Sequence, residues 1–299
     1  MNRTNENNQA AVRTAFVGVC TGLVATGITI TGAVTSNSVA IIADMLATIF
    51  ELLAVLLSFL TLRRMNRQDQ LTFNYGYGKL ESLASISVAT MMFMSLGIIA
   101  FNAVSRFTQP QTIAGFGVWL LLAAHLIFGG INVSLCWRSL VLARRQKSAL
   151  LDAQVRLFAT KAFSNLCMIF ALGFGLFLSQ HSWVQYMDPA ISVLIAAVMF
   201  FGAYHIVRSN LGDLLDKTLE ENMQIIILRE LAAYFEEYTA FYAVRSRKSG
   251  KKIYIEIFLE FDGSRQHSDV QRVMDRLKET LEAAIPGSDV TVVSATHAP

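Results

Sequence analysis

Charge is scarce in these 299 residues: 16% are Asp, Glu, Lys or Arg, 54% are hydrophobic, and the mean hydropathy is +0.45. That balance excludes an ordinary soluble domain, in which about a quarter of the residues are charged. Cysteine is scarcer still. Cys20, Cys136 and Cys167 stand singly in separate apolar segments with no CxxC spacing, which excludes a disulfide framework and a thiolate zinc site. No internal repeat and no low-complexity tract is present. "GYGK" has too few glycines and the wrong flanks for a phosphate loop, and no Ser, His and Asp set is suggested by spacing, so neither an enzyme nor a cofactor is expected. The net charge of +3 argues for no nucleic-acid partner, and the basic "RSRKSGKK" reads as the solvated turn of a hairpin.

Long apolar runs, by contrast, are abundant. Six of them, at about 12–34, 38–62, 83–107, 113–137, 152–179 and 187–207, can cross a bilayer core, which takes about 20 residues. The first does not read as a cleaved signal, because its flank is Asn-rich and its run too long. Basic residues alternate between the runs. Arg63, Arg64, Arg67 and Lys79 follow the second, Arg138, Arg144, Arg145 and Lys147 the fourth, and Arg208 and Lys217 the sixth, whereas "TSN", "TQPQT" and "SQHSWVQYM" contain none. The positive-inside rule then places both termini in the cytoplasm, and a multi-pass protein of the inner (plasma) membrane is expected.

The expected organisation is therefore a short N-terminal tail (1–11) without fixed structure, a six-helix membrane domain (12–208) and a polar cytoplasmic domain (209–299). In the last, "DLLDKTLEENMQIIILRELAAYF" has helical spacing, with Glu220 and Glu221 suiting a helix start, "AFYAVRSRKSGKKIYIEIFLEF" reads as a β-hairpin, "SDVQRVMDRLKETLEAAI" as a helix capped by Ser268, and "DVTVVSA" as a strand. The order αββαβ implies a small open sheet with two helices on one face.

Two carboxylates fall inside the second apolar run. Asp44 and Glu51 are seven residues apart, two helical turns, and so share a face. A carboxylate in hydrocarbon is costly and normally faces a bundle interior with a partner. The fifth run supplies one: Lys161 and Asn165, four apart, also share a face, and a pairing of Glu51 with Lys161 settles both charges. His125 and Asn132 share a face of the fourth run and suit interhelical hydrogen bonds, and Arg156 suits snorkelling to the interface.

The stretch "NSVAIIADMLATIFELLAVLLSFLTLRR", with "FNYGYGKLESLASI" after it, resembles the second and third helices of the cation diffusion facilitator family; "MDPAISVLIAAV" and the αββαβ tail ending in "PGSDVTV" extend the likeness over nearly the whole chain. The resemblance implies a homodimeric exporter, in most members a proton antiporter removing zinc or another divalent metal. It also implies a four-ligand transport site, whose positions here carry Ala47, Glu51, Lys161 and Asn165. Phe73 and Tyr77 stand where the family's loop has histidines, and Tyr242, Phe258, Gln271, Val293 and Ala295 where its tail has metal ligands. The family's dimer interlock is matched by Lys79, Glu81 and Asp216.

With Glu51 and Lys161 cancelling, an altered site of this kind has three readings. One is a secondary transporter of a monovalent cation or protonated amine, with Asp44 as a second anion on its path. Another is an exporter of a hard divalent ion rebuilt on Asp44, Glu51 and Asn165. The third is a transport-inactive partner protein with Glu51 and Lys161 locked together.

Overall fold

A computed structural model describes residues 2–36, 39–66, 77–108, 116–177, 186–250 and 252–297. It falls into two compact units, Met1–Thr72 with Leu80–Asn210 and Phe73–Lys79 with Leu211–Pro299.

Six helices make up the first unit: α1 (Asn2–Ser36), α2 (Val39–Met65), α3 (Gly78–Thr108), α4 (Phe116–Gln146), α5 (Ala149–Phe177) and α6 (Met187–Leu214). Each contains a stretch long and apolar enough to cross a membrane. Every helix is longer than its apolar run, because backbone hydrogen bonding continues beyond the hydrocarbon as long as no residue breaks it. The clearest difference from expectation is at the N-terminus. "NRTNENNQ" is the start of α1 rather than a loose tail: there is no Gly or Pro before Gly18 to stop the helix, and polar side chains at a helix end are solvated at no cost.

The helices meet through small residues. Ala11 and Ala15 of α1, Ala54 of α2, Ala84 and Ala89 of α3 and Ala203 of α6 are all buried, so backbones approach closely and dispersion contacts accumulate. Large apolar side chains point the other way: Phe101, Trp137 and Phe201 are each 68% exposed, as a lipid-facing surface requires.

The second unit contains α7 (Glu221–Ala233), a 3₁₀ turn (Phe235–Glu237), β1 (Ala240–Ser249), β2 (Lys252–Glu260), α8 (His267–Ala284) and β3 (Ser288–Ser294). β1 and β2 are antiparallel, joined at Gly250, whose φ of 61° is the left-handed conformation that glycine adopts without steric cost. β3 pairs parallel to β2, which requires the α8 crossover between them. Strict alternation along β2 buries Ile253, Ile255, Ile257 and Leu259 against Ile227 and Leu231 of α7 and Leu277 and Leu281 of α8. The α8 start is two residues earlier than expected: Gln266, not Ser268, is the N-cap, and its side chain makes no capping bond.

Candidate functional site

α2 and α5 bring together the two charges that hydrocarbon cannot accommodate singly. Lys161 Nζ lies 3.0 Å from Glu51 Oε2, with the side chains only 14% and 20% exposed. One turn further along α5, Asn165 Nδ2 donates to the Lys161 carbonyl at 2.7 Å, and His125 Nδ1 of α4 donates to Asn165 Oδ1 at 3.0 Å. Close approach of α4 to α5 makes that bond possible, since a Cβ on Gly129 would lie 3.3 Å from Asn165 Cβ. The chain Glu51, Lys161, Asn165, His125 therefore spans three helices, and the histidine bond is the interhelical contact its polar stripe favours.

These groups line a cavity of about 240 Å³. α1 contributes Thr21, Gly22, Ala25 and Thr29, α2 Ala47, Thr48 and Glu51, α4 His125 and Asn132, and α5 Lys161, Ser164 and Asn165. Ala47 is buried, with its carbonyl accepting from Ser95 Oγ at 3.3 Å, and has nothing to ligate a cation. The side chain of Asp44 lies outside the described residues. The α1 hydroxyls were missed in the sequence, although Thr21, Ala25 and Thr29 recur every four residues, the signature of one small polar face.

Chemically, the cavity offers one carboxylate, one ammonium, an imidazole, two carboxamides and several hydroxyls. Two unit positive charges 4 Å apart repel by about 4 kcal/mol at an effective dielectric near 20. Any cation that enters while Lys161 keeps its charge meets this repulsion, doubled for a dication, and a cation that replaces the ammonium does not. Among the described residues no group of three or more His, Cys, Asp or Glu side chains is placed to hold a metal ion.

The remaining predicted positions are placed as follows. Lys79 Nζ bonds Asp216 Oδ2 at 2.9 Å, and Arg247 approaches the same oxygen at 3.8 Å. Glu81, in the first turn of α3, is buried and accepts hydrogen bonds at the start of α5, from Ser148 Oγ and from the Leu150 N–H. Arg156 pairs with Asp152 one turn earlier, at 3.1 Å. Tyr77 lies just before α3, and Phe73 lies outside the described residues. In the sheet, Tyr242 donates to Glu260 and to the Thr296 carbonyl, and the Arg245 guanidinium covers the Phe258 ring at 5.6 Å. The bond to Glu260, with burial and the nearby negative charge adding to it, raises the Tyr242 phenol above its ordinary value.

Two family models match the chain, one after the other. The cation efflux transmembrane domain matches residues 15–215, and the cytoplasmic domain of cation efflux proteins matches 220–292. The chain belongs to the cation efflux family. It is a multi-pass membrane transporter of the cation diffusion facilitator type, with six apolar helices followed by a small three-stranded domain. Among its relatives, protein p34 of Rickettsia rickettsii is 20% identical over 97% of this chain and 93% of its own length. The cation-efflux pump FieF of Shewanella oneidensis is 22% identical, covering 86% of this chain and 84% of the pump, and that of Escherichia coli O127:H6 is 24% identical, covering 86% and 83%. At such identities the fold is shared while site residues are free to differ.

Proposed function

We propose that this family member exports a monovalent cation or a protonated organic amine in exchange for protons, through the cavity around Glu51 and Lys161. The observation that carries the reading is the 3.0 Å ion pair at a position where the family has metal ligands. Glu51 can balance one positive charge, and two are available to it: the Lys161 ammonium or a cargo cation. When cargo takes the carboxylate, Lys161 gives up its proton; when cargo leaves, Lys161 is reprotonated and closes on Glu51 again. One cation then moves against one proton, and the site charge stays constant through the cycle. The hydroxyls and carboxamides of Thr21, Thr48, Asn132 and Asn165 suit an ammonium or a partly hydrated monocation.

Supporting this direction of transport, the FieF relatives are named cation-efflux pumps. The Lys and Arg distribution supports an inner-membrane protein with both termini in the cytoplasm. A homodimer is supported by the match to the family's cytoplasmic domain, with Lys79, Glu81 and Asp216 as interlock residues. The closed ion pair also favours a second reading, an inactive homologue in which Glu51 and Lys161 only fix helix packing.

Proton flux in proteoliposomes, read with a pH-sensitive dye, separates the readings. The vesicles are challenged with Na⁺, K⁺, a set of diamines, Mg²⁺, Mn²⁺ and Zn²⁺, with Glu51→Gln as control. A Glu51-dependent signal from a monovalent cation or amine, unchanged when the membrane potential is clamped, is the expected result. A signal from divalent ions alone replaces this reading with the rebuilt metal site using Asp44, and silence throughout with the locked pair.

A further inference from the structure

The cavity occupies only one half of the helix bundle. Its lining on α1, α2 and α5 comes from Glu51, Lys161 and residues on one side of them; on the other side, towards the arginine-rich helix ends, the path closes. One turn along, at Val55 of α2 and Phe158 of α5, both side chains are 1% exposed. Their counterpart on α1 is Gly18, where a Cβ would lie 2.9 Å from Phe158 Cζ and 3.0 Å from Val55 Cγ1. The ring is thus wedged between helices against bare backbone.

One further turn along, polarity returns. Ser58 is seven residues after Glu51, and Gln154 is seven before Lys161, so each sits about 10 Å further along its helix on the face that carries the charged group. On α4, Ser139 continues the stripe of His125 and Asn132 at the same spacing of seven. Ser58, Ser139 and Gln154 are all completely buried. Among the described residues, Ser58 Oγ, Ser139 Oγ and both side-chain polar atoms of Gln154 have no hydrogen-bond partner. Buried polar groups are nearly always satisfied, and a glutamine with neither end paired is an expensive thing to keep in a membrane core.

We infer that Ser58, Ser139 and Gln154 line the closed half of the cation path, and that Phe158, seated on Gly18 and Val55, is the apolar gate separating it from the cavity. The unpaired atoms are satisfied by water or cargo when the helices part on the arginine-rich side, and that cost in the closed state keeps the two states close in free energy. This rests on the chain being a transporter, but not on the identity of its cargo.

The test is water access to position 58. In full-length protein with its three cysteines replaced, Ser58→Cys is labelled in oriented vesicles with a small membrane-impermeant thiol reagent. Val88→Cys, at a fully buried apolar site on α3, serves as the reference. The expected result is labelling at least tenfold faster than at Val88→Cys, from the arginine-rich face only, and faster again when Phe158→Ala is added. Labelling no faster than the reference, or from the opposite face, overturns the inference, with Ser139→Cys as the replacement probe where Ser58→Cys does not fold. Gln154→Leu gives an independent readout: a higher melting temperature with at least fivefold lower flux supports a path residue, and a lower melting temperature with normal flux overturns it. Proton flux in the same vesicles reports on the cargo separately, so labelling without flux counts against the cargo proposal alone.

Discussion

A half-hidden ion pair sets the character of this site. Breaking such a pair by removing one partner leaves an uncompensated charge and costs about 3–5 kcal/mol, whereas replacing both with apolar or neutral groups of similar size is often near neutral. Glu51→Gln and Lys161→Ala are each expected to lower detergent-phase stability by about 3 kcal/mol and to abolish exchange without dissociating the dimer. Glu51→Gln with Lys161→Met should recover most of the stability and none of the transport, as read by thermal unfolding beside proteoliposome flux. Recovery of transport in the double variant would remove both residues from the mechanism. The pair was legible in the sequence, because two charges in apolar runs have few other places to go. The His125 to Asn165 bond was only half legible: spacing puts each on a polar stripe, but the helix rotation that brings the stripes together depends on Gly129, whose role is a matter of contact and not of pattern.

Helix and strand ends carry the next layer of organisation. The start of α5 has N–H groups without partners inside the helix, and Glu81 and Ser148 take up those of Leu150 and Leu151. Glu81→Gln should cost about 1 kcal/mol by removing the negative charge from the helix N-terminus, and Glu81→Ala about 2 kcal/mol by leaving a buried donor unpaired. Thermal unfolding distinguishes them: no loss in Glu81→Gln would mean that charge contributes nothing there, and equal losses that a neutral acceptor contributes nothing beyond it. On the sheet, the folded-state value of Tyr242 is raised above the unfolded one near 10, so the folded state holds its proton more tightly. Stability from this phenol is therefore complete below about pH 10 and is lost as the pH rises through the folded value. Tyr242→Phe is expected to flatten the fall in melting temperature above pH 10 and leave the profile at neutral pH unchanged in slope. Element types were read from periodicity, and element ends were not. The α1 start at Asn2 and the α8 start at His267 depend on where backbone donors find partners, which composition reports weakly.

At the scale of the whole molecule, a transport unit and a small sheet domain keep the family's architecture, and among the described residues neither groups three or more His, Cys, Asp or Glu side chains to hold a metal ion. In the membrane unit Lys161 supplies an internal cation, and in the sheet domain Tyr242 and Phe258 engage Glu260 and Arg245 in contacts needing no ion. Where a metal bridges subunits its binding energy is assembly energy, so removing it weakens the dimer, and adding it raises stability by RT ln(1 + [L]/Kd). Nothing in the positions Tyr242, Phe258, Gln271, Val293 and Ala295 supplies that linkage here. The expected outcome is a dimer whose mass by light scattering in detergent is the same with millimolar EDTA as without it, and whose melting temperature moves by less than about 1 °C on addition of Zn²⁺. Dissociation by EDTA, or a zinc-dependent rise of several degrees, would mean that a metal site has been rebuilt from other residues. That result would also reopen the divalent reading of the cavity, because a chain that still senses metal in its cytoplasmic domain has a reason to move it.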